Sequence, residues 1–106
     1  MNILLACANG LSTSMLAEKM QLAAEKIKID CRIWAVDVES IETELENNEI
    51  SCILLGPQVK FMSDDIIELG HQHDIPVCVI NSLDYGQMNA DKVLKNALST
   101  LHEGVK

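Results

Sequence analysis

Four short apolar runs alternate along the chain with four stretches of helical periodicity, and this alternation constrains the fold more than any other feature. The runs are ILLAC (3–7), CRIWAV (31–36), SCILLG (51–56) and VCVIN (77–81). The first, third and fourth are almost continuously hydrophobic, as expected of strands covered on both faces of a parallel sheet. CRIWAV carries Arg32 and suits an edge.

Between the runs, residues 12–28 repeat Met15, Leu16, Met20, Leu22, Ala23 and Ile27 at three- and four-residue spacings. Residues 39–48 place Ile41 and Leu45 on one stripe. Residues 58–73 offer Val59, Met62, Ile66, Ile67 and Leu69, and residues 87–103 offer Met88, Val93, Leu94, Ala97, Leu98 and Leu101. The order is therefore βαβαβαβα. It predicts an α/β fold: a single open four-stranded parallel sheet, right-handed crossovers and helices on both faces. The length, 106 residues, fits one domain over 1–106. Residues 104–106 read as a frayed tail.

In open sheets of this class, ligands bind beyond the carboxyl ends of the strands. Cys7 closes the first strand, so this topology puts a thiol on the functional rim. The residues that follow, Ala8, Asn9, Gly10, Leu11, Ser12, Thr13 and Ser14, are small or polar around one glycine. Ser12 is a suitable N-cap for a helix starting near Thr13 or Ser14. Backbone N–H groups of a glycine-bearing loop and of a helix N-terminus form an anion cradle needing no Lys or Arg. The same field favours the thiolate of a nearby cysteine, a strong nucleophile. Cys7 and its loop thus fit attack on phosphorus, with the loop holding the phosphoryl oxygens. A small buried residue at a strand end is the plainer alternative for Cys7.

Two chemistries use such a cradle. Cysteine phosphatase loops read C-x5-R-[S/T], with the arginine clamping the phosphoryl group bidentately. Here Thr13 stands at the arginine position and Ser14 follows. Without that clamp, transition-state charge is less well neutralised and hydrolysis is harder, which favours a phosphocysteine carrier. Asp84, in NSLDYG, is the one rim carboxylate suited to a phosphatase's general acid, and it reads equally as a turn residue.

The formal charge of −8 argues against nucleic acid and anionic membrane surfaces. Cys31, Cys52 and Cys78 lie in apolar stretches, form no C-x-x-C pair and read as small buried hydrophobes. The chain reaches its first strand at once, without a signal peptide, and no apolar run approaches ~20 residues. A reducing, cytoplasmic setting is expected. His71 and His73 fall before the fourth run, on the rim opposite Cys7, and read as exposed polar residues.

Three segments, LLACANGLSTSMLAEKM, ILLGPQVKFM and INSLDYGQMNADKVL, resemble the lactose/cellobiose-type IIB subunits of the bacterial phosphoenolpyruvate-dependent sugar phosphotransferase system. The resemblance rests on C-x-x-G-x-S-T-S followed by LLGPQ and runs over essentially the whole chain. It implies that Cys7 takes a phosphoryl group from a phosphohistidine of a IIA partner. Cys7 then passes it to a sugar entering through the membrane subunit IIC. It implies Ala8 to Ser14 as the phosphate loop, with Ser12, Thr13 and Ser14 as added hydroxyl donors, and no metal or organic cofactor. The family name suggests a β-disaccharide such as cellobiose, chitobiose or lactose. A cytoplasmic carrier would then meet the membrane only through IIC. Gln58, after Gly56-Pro57, and Tyr85 are candidates for a wall of the site or a partner contact. A phosphatase-like enzyme and a non-catalytic regulatory domain of the same fold are the alternatives.

Overall fold

The computed structural model describes residues 1–8 and 11–104. The strands are β1 (Asn2–Cys7), β2 (Arg32–Asp37), β3 (Cys52–Leu55) and β4 (Val77–Val79). The helices are α1 (Leu11–Lys26), α2 (Ile41–Asn47), α3 (Ser63–Gln72), α4 (Ser82–Gly86) and α5 (Ala90–Gly104). All strand pairings are parallel, in the order β2-β1-β3-β4. Arg32 therefore does lie on an edge strand, where its side chain reaches water and its guanidinium stacks 4.5 Å from the Trp34 ring.

Successive strand residues face opposite sides of a sheet, and β1 shows this in its two sets of partners. Ile3 and Leu5 join a core with Leu16, Met20, Val93 and Leu94, beneath α1 and α5. Leu4 and Ala6 join Ile41, Val59 and Ile66, beneath α2 and α3. Ile3, Leu4, Leu5 and Ala6 are all fully buried, which is why ILLAC reads as a continuous apolar run. Helices thus cover both faces, as the alternation predicts.

Several element boundaries depart from the sequence reading. The stretch 58–73 is not one helix: a 3-10 segment, Pro57–Met62, precedes α3. Fully buried Val59 leaves helical geometry there, at φ −111° and ψ 20°. The stretch 87–103 does not open a helix at Gln87. A separate short helix, α4, precedes it, and Met88 takes a left-handed conformation (φ 51°) in the link. The Asn89 side chain then accepts from the N–H of Lys92 at 3.3 Å and starts α5. Lastly, α5 runs through Gly104, inside the expected tail, and residues 105 and 106 lie outside the described residues.

Candidate active site

The ends of β1, β3 and β4 share one sheet edge because the strands are parallel. Cys7 ends β1 and is 3% exposed. It is an odd-numbered position like Ile3 and Leu5, so alternation turns its side chain to the α1 face. The thiol therefore stands on the side from which α1 rises.

α1 begins at Leu11, two to three residues earlier than the sequence suggests. Ser12 is consequently not the N-cap but a member of the first turn, and Asn9 and Gly10 lie outside the described residues. The first turn contains no acidic residue, so nothing within it offsets the positive end of a 16-residue helix. Ala8, Ser12 and Ser14 are exposed. Thr13 is different: it is 0% exposed, and its hydroxyl lies 3.1 Å from that of Tyr85. The residue at the phosphatase arginine position thus points into the protein.

Gly56 follows β3 and lies beside Cys7, its N–H donating to the carbonyl of Ala6 at 2.8 Å. A Cβ on Gly56 would stand 3.0 Å from Cys7 Cβ and 3.0 Å from Gln58 Oε1. Gly56, Cys7 and Gln58 are therefore mutual neighbours, and the absent side chain is what lets the end of β3 lie against the thiol. The sequence signal for this was the glycine directly after an apolar run. Gly56→Ala is expected to crowd Cys7 and destabilise the fold by about 1 kcal/mol, the lower end of overpacking costs, because one obstacle is the far end of the flexible Gln58 side chain. Thermal unfolding measures the stability, and the alkylation rate of Cys7 measures the displacement; an unchanged alkylation rate would show that the contact does not position the sulfur.

Tyr85, a candidate for a wall of the site or a partner contact, is 7% exposed and meets the first turn of α1 through its hydroxyl. Asp84, read as a rim-loop carboxylate, is 2% exposed within α4, with Lys92 Nζ at 3.5 Å. That burial does not suit a general acid facing substrate. Gln58 is exposed at the rim. His71 and His73 are exposed at the end of α3, before β4 and so on the opposite edge. Among the described residues, no group of three or more His, Cys, Asp or Glu is placed to hold a metal.

The other thiols are placed for packing. Cys31 and Cys52 are buried, and Cys78 is partly so. Burial raises the pKa of the Cys31 thiol and pushes that of Cys52 up to about 12, with Cys78 and Cys31 adding to the rise at Cys52. Both stay protonated at neutral pH and offer no competing nucleophile.

The chain matches the family model described as PTS system, Lactose/Cellobiose specific IIB subunit, over residues 2–96. It is 34% identical over 99 residues to the PTS system oligo-beta-mannoside-specific EIIB component of Bacillus subtilis, covering 93% of this chain and 94% of that one. It is 41% identical over 98 residues to the PTS system galactose-specific EIIB component of Lactococcus lactis subsp. cremoris, covering 90% and 91%. The solution structure of a cellobiose-specific phosphotransferase IIB component from Borrelia burgdorferi superposes with a TM-score of 0.79. It is 34% identical, over 98% of this chain and 94% of that one.

Proposed function

The chain belongs to the lactose/cellobiose-specific IIB subunit family, and from this we propose that Cys7 is its phosphoryl carrier. The observation that supports this most is the placement of Cys7: the end of a buried central strand, turned toward the start of α1, where helix N–H groups have no partners within the helix. In the first step Cys7 sulfur attacks the phosphorus of a phosphohistidine on a IIA protein. An S–P bond forms, the P–N bond breaks, and the electron pair stays on the imidazole nitrogen. In the second, a sugar hydroxyl held by IIC attacks the same phosphorus and gives up its proton to a base on the IIC side. The S–P bond breaks and the thiolate returns.

The phosphoryl oxygens would be held by amides at the start of α1, with the exposed hydroxyls of Ser12 and Ser14 within that turn. Thr13 contributes its hydroxyl elsewhere. A phosphatase reading is disfavoured by the same residue, since the clamp position is occupied by a side chain directed inward to Tyr85.

Large apolar side chains exposed on the elements that rise from this rim favour docking partners over a small soluble substrate. Phe61, the chain's one phenylalanine, is 84% exposed on the segment after β3. Leu83, after β4, is 65% exposed, and Met15 of α1 is 49% exposed. Among the described residues no helix is long and apolar enough to cross a membrane. The relatives named above differ in the sugars of their names. A β-disaccharide of the cellobiose, chitobiose or lactose kind is the proposed cargo.

Incubation with phosphoenolpyruvate, the general phosphotransferase proteins and a IIA partner should add the mass of one phosphoryl group, located on Cys7 by peptide mapping. A chain that takes up no group, or carries it elsewhere, would refute this reading.

A further inference from the structure

Two polar side chains are buried among the described residues, Thr13 and Asp84, and both bear on α4. Asp84 belongs to it; Thr13 reaches it across 72 positions of sequence, through the 3.1 Å contact with the Tyr85 hydroxyl. We propose that this hydroxyl pair positions the phosphate loop, with Tyr85 as a positioning residue that holds the first turn of α1 behind Cys7. Its kinetic consequence rests on the carrier reading above, whereas the restraint itself does not.

The first turn is the least restrained part of a helix, because its N–H groups lack partners within the helix. Those same N–H groups are the ones that would meet a phosphoryl group, and their value depends on where they point. Thr13 lies in this turn. Its β-branched side chain has few rotamers, so fixing the hydroxyl fixes the local backbone. At the other end, Tyr85 is held on several sides. Its ring belongs to the core that contains Leu16 and Ala17. Its N–H donates to the carbonyl of Asn81 at 2.9 Å. The Asn81 side chain accepts from the N–H groups of Leu83 and Asp84 at 2.9 and 3.2 Å, and Asp84 pairs with Lys92 of α5 at 3.5 Å. Packing alone would be served by phenylalanine at 85 and valine at 13. Two hydroxyls buried against each other are accounted for by the bond they share.

The test uses the full chain with Tyr85→Phe, Thr13→Val, Thr13→Ser and the double variant Thr13→Val/Tyr85→Phe. Amide hydrogen exchange is followed without any partner. Transfer to Cys7 is followed as a single-turnover rate against the concentration of phosphorylated IIA. Each hydroxyl deletion is expected to speed exchange about tenfold at residues 14–16, the first amides bonded within α1, and to leave β1 unchanged. Each should lower the saturating transfer rate about tenfold without moving the half-saturating IIA concentration. Thr13→Ser should restore both. The double variant leaves neither hydroxyl without its partner, so its melting temperature should recover toward wild type while exchange and transfer stay at the single-variant values. A merely structural contact would instead let transfer recover with stability. Wild-type exchange in the single variants, or transfer restored in the double variant, overturns the proposal. If wild type itself is never phosphorylated on Cys7, the carrier reading falls, and the exchange data still decide the restraint.

Discussion

A Cys7→Ser chain is expected to fold like wild type and to accept no measurable phosphoryl group, a loss of more than ~1,000-fold. The substitution exchanges sulfur for oxygen at a residue that is 3% exposed and removes no carbon atom, so no cavity large enough to disturb β1 is created. What changes is the nucleophile. A serine hydroxyl remains protonated at neutral pH and needs an adjacent general base; Asp84, the carboxylate that the sequence suggested at this rim, is buried, with the exposed Lys92 ammonium 3.5 Å away. Phosphoryl uptake is read by intact mass and the fold by circular dichroism and melting temperature. Retained labelling in Cys7→Ser would place the acceptor on another residue and sink the carrier assignment.

Gly70→Ala is expected to give the largest stability effect of any single methyl addition among the glycines discussed. A Cβ there would lie 2.5 Å from the carbonyl oxygen of Ile75 and 2.6 Å from Val77 Cγ2. Alanine gains about 1 kcal/mol of helix propensity over glycine. Overpacking costs about 1–3 kcal/mol, and here the upper end applies, because one obstacle is backbone. Ile75 N–H also donates to the Gly70 carbonyl at 2.8 Å, so α3 and the chain entering β4 cannot separate without breaking that bond. The net loss is about 2 kcal/mol, a fall of roughly 10 °C in melting temperature for a domain of this size. Because Gly70 is on the edge opposite Cys7, phosphoryl uptake below the transition should remain as in wild type. A melting temperature within a degree or two of wild type would mean that α3 and β4 shift apart freely.

The strands were legible because each is short, apolar on both faces and bounded by polar or glycine residues. Edge placement of β2 followed from Arg32, a charge that central strands of a doubly covered sheet do not accommodate. Cys7 was legible by position alone, as the last residue before a glycine-bearing loop. What escaped the sequence depends on tertiary contact. α4 spans five residues, too few to show a helical period, and Asn81 supplies its cap from what looked like the end of a strand. The start of α1 was misplaced because Ser12 is an acceptable cap by type, and several residues nearby are equally acceptable. The inward turn of Thr13 could not be read locally, since the group that engages it, Tyr85, is 72 positions away. Gly56 looked like punctuation after a strand; its closeness to Cys7 appears only when β3 is laid in register beside β1.

β1 lies between β2 and β3, and residues Ile3 to Ala6 have no surface exposed to water. The sulfur is thereby fastened to the part of the molecule least open to modification, while Met15, Phe61 and Leu83 occupy replaceable positions on the periphery. On the proposed carrier reading, such a division would make the chain modular: redirecting it to another transporter would call for exchanging a few surface side chains, with the reacting atom left in its original frame. A panel of rim exchanges between this chain and relatives of different sugar specificity would therefore alter partner choice one residue at a time, against a constant chemical background.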